Sequence, residues 1–141
     1  MRLGHVGLAA KDPAALAGFY ERFLGLRKVG EAQTELSGQM LFLSSQPGAP
    51  PDLQILSNLQ GGHMAFKVDS LAQLLELHAD APHRGARVVM SLDHGGTLSF
   101  YVRDPEGNAC EVYWETGRRG AGGNRPIDLT QSEEELLKSL G

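Results

Sequence analysis

Two histidines and one glutamate are the residues of this chain best suited to chemistry. His5 stands in Gly4-His5-Val6-Gly7-Leu8 and His63 in Gly62-His63-Met64-Ala65-Phe66, 58 residues apart in matching surroundings. Glu111 sits inside the apolar run Ala109-Cys110-Glu111-Val112-Tyr113-Trp114. A carboxylate in such a run costs free energy unless it is paired or binds a metal. A lone histidine is more often structural than a ligand. Two in equivalent settings, together with that glutamate, instead make a 2-His-1-carboxylate set, which suits a divalent metal with open coordination positions. Such a site keeps a net charge of about +1, a match for an anionic substrate that offers two oxygens.

The elements that must position these residues repeat. Residues 4–12, GHVGLAAKD, and 62–70, GHMAFKVDS, share Gly-His, a short apolar run and an acidic residue. Repeats of this kind are a primary signal of architecture. A helical pattern follows each. The first runs from Pro13 to Leu24, apolar at Leu16, Phe19, Tyr20, Phe23 and Leu24, with Asp12 and Pro13 as N-cap and first helical residue. The second runs from Leu71 to Leu77, with Leu71, Leu74, Leu75 and His78 on its apolar face and Ser70 as N-cap. Gly25 and Gly85 stand where C-cap glycines belong. Strands are expected at about 26–32, 39–45 and 52–57 in the first half, and at about 86–92, 98–103 and 109–114 in the second. Asp104-Pro105-Glu106-Gly107-Asn108 reads as the turn between the last two.

Each half is therefore β-α-β-β-β, and neither is large enough to bury a core alone. The predicted organisation is an α+β domain over 1–116, with module one at 1–57 and module two at 62–116. Residues 117–141 follow as a flexible basic linker, GRRGAGGNRP, and a short C-terminal helix. Thr130 and Ser132 precede Glu133 and Glu135 as capping-box signals. Leu136, Leu137 and Leu140 form that helix's apolar face.

Alternation along the strands puts His5, His63 and Glu111 on the face opposite the large apolar side chains. Gly7, Ala9, Ala65 and Ala109 share that face and leave room over it for a ligand. Ser99 and Tyr101 fall on the corresponding face of their strand, opposite Leu98, Phe100 and Val102. Cys110 and Trp114 alternate onto the apolar side and read as core. His78 and His83 read as solvated or helix-end residues.

Composition narrows the function classes. The chain has 141 residues, 41% hydrophobic and 21% charged, with a formal charge of −4. That balance argues against nucleic acid or an anionic membrane as partner. One cysteine excludes an internal disulfide framework and a cysteine-rich zinc site. No run approaches the ~18 apolar residues of a membrane span, and MRLGHVGLAA has no signal-peptide core before Lys11. A soluble cytoplasmic protein is expected.

The β-α-β-β-β repeat carrying His5, His63 and Glu111 resembles the vicinal oxygen chelate superfamily, which includes glyoxalase I, extradiol catechol dioxygenases and fosfomycin resistance proteins. The resemblance spans residues 1–115. It is most specific over Ser99–Glu111, which looks like the family's final hairpin ending in the carboxylate ligand. It implies two modules paired into a curved mixed sheet around a metal cleft, with His5, His63 and Glu111 as ligands. Among the members, glyoxalase I adds a first-module carboxylate where this chain has Gln54. Fosfomycin resistance proteins carry a threonine where it has Gly7 and a lysine near Met90. Extradiol dioxygenases place a tyrosine ten residues before the glutamate ligand, the spacing of Tyr101 and Glu111.

The resemblance is thus closest to the one-domain extradiol dioxygenases. It implies Fe(II) as cofactor, with Mn(II), Ni(II) or Zn(II) as other candidates, and a catechol-like diol as substrate. In it Tyr101 and His94 are catalytic, Ser99 and Gln54 contact substrate, and the chain is a homodimer. A gapless match puts the family's acid/base histidine on Leu92, so His94 reaches that role through a two-residue shift of the loop. The further histidine of the larger two-domain enzymes has no counterpart near Gly48. A glyoxalase-like isomerase or lyase, a thiol transferase on the same site, and a non-catalytic drug-binding protein are the alternatives.

Overall fold

The computed structural model describes residues 1–118 and 123–141. The chain divides into two compact units, Gly4–Met64 and Ala65–Gly141, the latter together with Met1–Leu3.

The first unit follows the predicted order: strand β1 (Arg2–Ala9), helix α1 (Pro13–Leu24), then β2 (Arg27–Thr34), β3 (Gly38–Ser44) and β4 (Leu53–Leu56). The strands lie in the order β2-β3-β4-β1. β3 is antiparallel to both its neighbours, whereas β4 runs parallel to β1, so the sheet is mixed. Asp12 caps α1 by accepting from the Ala15 N–H, and Gly25 ends it at φ 69°, a left-handed conformation that favours glycine. Ala17, Leu41, Leu43 and Ile55 form this unit's core, with Leu16 and Tyr20 against it. The helix's apolar stripe is wider than the core uses: Phe19 and Phe23 stack on each other at 5.5 Å and face outward, Phe23 being 71% exposed.

The second unit repeats the plan. β5 (His63–Lys67), which starts in the first unit, is followed by helix α2 (Leu71–Asp80), a 3-10 turn (Pro82–Arg84), β6 (Val88–Asp93), β7 (Thr97–Arg103) and β8 (Ala109–Glu115). Ser70 caps α2 by accepting from the Gln73 N–H. The helix runs three residues past Leu77 because no breaker intervenes before Pro82. Gly85 therefore closes the 3-10 turn rather than α2, whose C-cap is Ala81. Val68, Leu71, Leu74, Leu98, Phe100 and Val112 build the core, and Trp114 packs against it.

The tail departs most from expectation. The segment read as a flexible linker contains a ninth strand, β9 (Arg125–Pro126), paired with the outer edge of β6 as Leu92↔Pro126 and Asp93↔Arg125. Helix α3 (Glu133–Leu140) follows, with a complete capping box between Ser132 and Glu135. Thr130, the other expected cap, instead bonds Asp128. Leu136 is fully buried and Leu140 packs on the core, but Leu137 is 48% exposed, so the buried face is narrower than predicted. No helix among the described residues is long and apolar enough to cross a membrane.

Candidate functional site

In the first unit the two histidines meet. The Nε2 atoms of His5 and His63 stand 3.2 Å apart, with ring centroids at 5.3 Å and planes at 87°. His63 Nδ1 lies 2.8 Å from the Gly61 carbonyl oxygen. A carbonyl only accepts, so Nδ1 carries the proton and Nε2 presents its lone pair. A backbone carbonyl fixing the far nitrogen is the usual way a ligating imidazole is oriented. Gly61 is itself held, since its N–H donates to the Asn58 carbonyl while the Asn58 side-chain amide donates to Leu36 O. The segment 57–62 is thus tied to the β2–β3 turn.

Gly7 is the third member of this arrangement. A Cβ there would lie 2.4 Å from both Cε1 and Nδ1 of His63. The sequence suggested that Gly7 leaves room for a ligand; in the structure the His63 ring fills that room. Gln54, on β4, is the register partner of Gly7 and half-buried.

The second unit holds the carboxylate. Glu111 is 4% exposed on β8, and the Ser99 hydroxyl donates to its Oε1 at 2.6 Å. Tyr101 is its cross-strand partner. Burial first, and then the nearby Glu111 charge, push the Tyr101 hydroxyl well above the ordinary tyrosine range, so the phenol keeps its proton. Tyr113, the partner of Ser99, is also raised, by burial and then by Glu115 and Glu111. It was not singled out from sequence, although it alternates onto Glu111's face. Burial, followed by the Glu111 and Asp104 charges, raises the Cys110 thiol as well, which argues against a thiolate nucleophile.

His94 lies in the β6–β7 turn, where its N–H donates to Thr97 O. Its Nε2 is 3.0 Å from the Tyr101 hydroxyl and its Nδ1 is 2.7 Å from Asn124 Oδ1. Beside it Asp93, 4% exposed, accepts from the Gly95 N–H at 2.7 Å, from Arg118 at 2.5 Å and from Arg125 at 2.8 Å. Arg118, in the segment that reads from sequence as a basic linker, is therefore committed to Asp93; Arg119 lies outside the described residues.

Burial pushes the Asp93 carboxyl up, but the Gly95 N–H and the two guanidiniums outweigh it and hold the group below the usual carboxylate range. A depressed carboxylate stabilises the fold above its unfolded value, ~3.9, and that stabilisation is lost as pH falls through the lower folded value. Asp93→Asn is expected to destabilise the protein at neutral pH by about 1–3 kcal/mol, discounted because Arg125 is exposed. It should also flatten the loss of stability below pH ~4. Urea unfolding of both proteins across that range checks this; parallel pH curves would contradict it.

The remaining histidines stand apart from these groups. The His78 ring packs edge-on against Phe100 at 5.3 Å, so it is part of the α2 packing rather than a solvated residue. Burial lowers its basicity, partly opposed by Asp128. His83 is exposed beside Asp80.

The chain belongs to the Glyoxalase/Bleomycin resistance protein/Dioxygenase superfamily, which it matches over residues 2–112. Its curated relatives include biphenyl-2,3-diol 1,2-dioxygenase 3 of Rhodococcus globerulus, 26% identical over 79% of this chain and 62% of that protein. A second is biphenyl-2,3-diol 1,2-dioxygenase 2 of the same organism, 33% identical over 46% of this chain and 35% of that protein. The chain thus spans less than two-thirds of the length of these relatives. Among solved structures, a Streptomyces coelicolor methylmalonyl-CoA epimerase has a TM-score of 0.62 at 21% identity, covering 85% of this chain and 98% of its own. A halotolerant catechol dioxygenase has a TM-score of 0.66 at 19% identity, covering 89% and 41%. At these identities the structures show a shared fold.

Proposed function

We propose that the chain is a ring-cleaving extradiol dioxygenase that holds one divalent metal, Fe(II), on His5, His63 and Glu111 and acts on a catechol-like diol with O2. The donors fit that ion. The two Nε2 atoms come to 3.2 Å with His63 held in the ligating tautomer, and Glu111 is a buried anion oriented by Ser99. When bound, the metal supplies Lewis acidity toward two vicinal oxygens of the substrate.

The observation that carries the dioxygenase reading is the Tyr101–His94 pair. A substrate hydroxyl gives its proton to the Tyr101 oxygen while the phenol's own proton passes across 3.0 Å to His94 Nε2. The raised basicity of the phenolate keeps Tyr101 protonated and able to donate between turnovers. Gln54 contacts the substrate from the first unit, and Ser99 holds Glu111 in place. Both oxygen atoms of O2 enter a ring opened beside the diol. The working assembly in this reading is a cytoplasmic homodimer.

Oxygen uptake on a panel of catechols, with protein loaded anaerobically with Fe(II), tests this. The expected result is substrate-dependent uptake with a ring-opened product. The fold shared with nearly all of the methylmalonyl-CoA epimerase, 98% of that chain, supports a second reading, proton abstraction beside a carbonyl at the same ligands. No uptake on any catechol, together with oxygen-independent isomerisation using Co(II), Ni(II) or Mn(II), would replace the first reading with the second.

A further inference from the structure

The segment beyond the second module reaches back to the β6–β7 turn. β9 pairs with β6 so that Arg125 lies opposite Asp93, and the Ile127 N–H donates to Ser91 O at 3.1 Å. On the other flank the Thr116 N–H and hydroxyl donate to Gly96 O at 2.9 Å and Gly95 O at 2.7 Å. Asp93 adds the two guanidiniums of Arg118 and Arg125. The residue placed next to Arg125 by this latch is Asn124, whose Oδ1 sits 2.7 Å from His94 Nδ1.

We propose that Asn124 is a positioning residue for His94, fixing the imidazole with its proton on Nδ1 so that Nε2 stays an acceptor for the Tyr101 hydroxyl. This rests on the reading of Tyr101 and His94 as the proton-handling pair. The directions of the hydrogen bonds are consistent along the whole row. The Asn124 carbonyl oxygen accepts from Nδ1–H, Nε2 accepts from the phenol O–H, and the phenol oxygen keeps lone pairs for a substrate hydroxyl. With the proton on Nε2 the row would reverse. The imidazole would donate to Tyr101, and no base would remain to receive the substrate's proton. An imidazole in a turn, with nothing on its far nitrogen, exchanges between the two tautomers. The side-chain carbonyl of Asn124 removes that freedom, and the Asp93 latch holds Asn124 at the required distance.

Long-range 1H–15N spectra of the full-length, metal-free protein read the tautomer directly, because protonated and bare ring nitrogens resonate far apart. His94→Gln identifies the His94 signals, and spectra are taken near pH ~8, where an ordinary imidazole is neutral. The wild type should show a single form with the proton on Nδ1. Asn124→Ala should shift both His94 nitrogens toward averaged values, while Asn124→Asp, which keeps an acceptor oxygen, should restore the wild-type pattern. A proton on Nε2 in the wild type would overturn the proposal, and so would unchanged His94 signals in Asn124→Ala. The readout needs neither substrate nor metal, so absent catechol turnover counts only against the dioxygenase reading.

Discussion

Replacing Tyr101 with phenylalanine should lower kcat on a catechol by roughly 10²–10⁴-fold, the usual worth of a positioned proton-transfer group. The substitution deletes one hydroxyl and keeps the ring that fills β7. That hydroxyl stands 3.0 Å from His94 Nε2, the proposed proton acceptor. Stability should fall by about 1–3 kcal/mol, because the buried Glu111 carboxylate and His94 Nε2 each lose a hydrogen-bond partner. Steady-state kinetics beside thermal unfolding separates the two effects. A variant with wild-type kcat would contradict the proton relay, whatever its stability. The wild type should also show no loss of activity from tyrosine ionisation within the ordinary tyrosine range, since burial and Glu111 hold that ionisation above it.

The second large effect is expected at a residue with no side chain. Gly7→Ala adds one methyl group at 2.4 Å from the His63 ring, closer than non-bonded atoms come. The ring must swing out of the site or β1 must move. Either motion breaks the 2.8 Å bond from Nδ1 to Gly61 O and separates the two Nε2 atoms. Disturbing the partners that orient a metal-ligating histidine typically costs 10–100-fold in affinity, and displacing the ligand itself costs at least the upper figure. Titration of the apo protein with Mn(II), wild type against variant, measures this. Equal affinities would mean that the His63 orientation seen here does not govern metal binding. A fold collapse would show in circular dichroism and is not expected, because Gly7 has no positive φ that only glycine tolerates.

Much of this was legible in the sequence, and the parts that were not have physical reasons. The two β-α-β-β-β modules followed from the repeated Gly-His and the capping residues Asp12 and Ser70, signals local enough to survive without tertiary information. The face on which Ser99, Tyr101 and Glu111 stand follows from strand alternation alone. The role of Gly7 was misread because its reason is a side chain 56 positions away in sequence. The ordered C-terminal strap was hidden for a similar reason. Gly-rich, basic GRRGAGGNRP has the composition of a free linker, and only the buried Asp93 carboxylate shows why Arg118 and Arg125 are held. The available signal was the acid Asp93 at the end of an apolar strand pattern, before Gly95-Gly96. The exposure of Phe19, Phe23 and Leu137 shows the limit of helical periodicity, which marks an apolar stripe but not how much of it a small sheet covers.

The most direct measurement is the metal content of protein prepared anaerobically, taken by elemental analysis beside His5→Ala and Glu111→Ala. The expected result is about one iron per chain in the wild type, with near-complete loss in both variants, because the proposed ion takes His5 and Glu111 as two of its three protein ligands. A wild type that holds no divalent metal even after reconstitution, or variants that keep the full complement, would contradict the shared three-residue site on which the proposed chemistry depends.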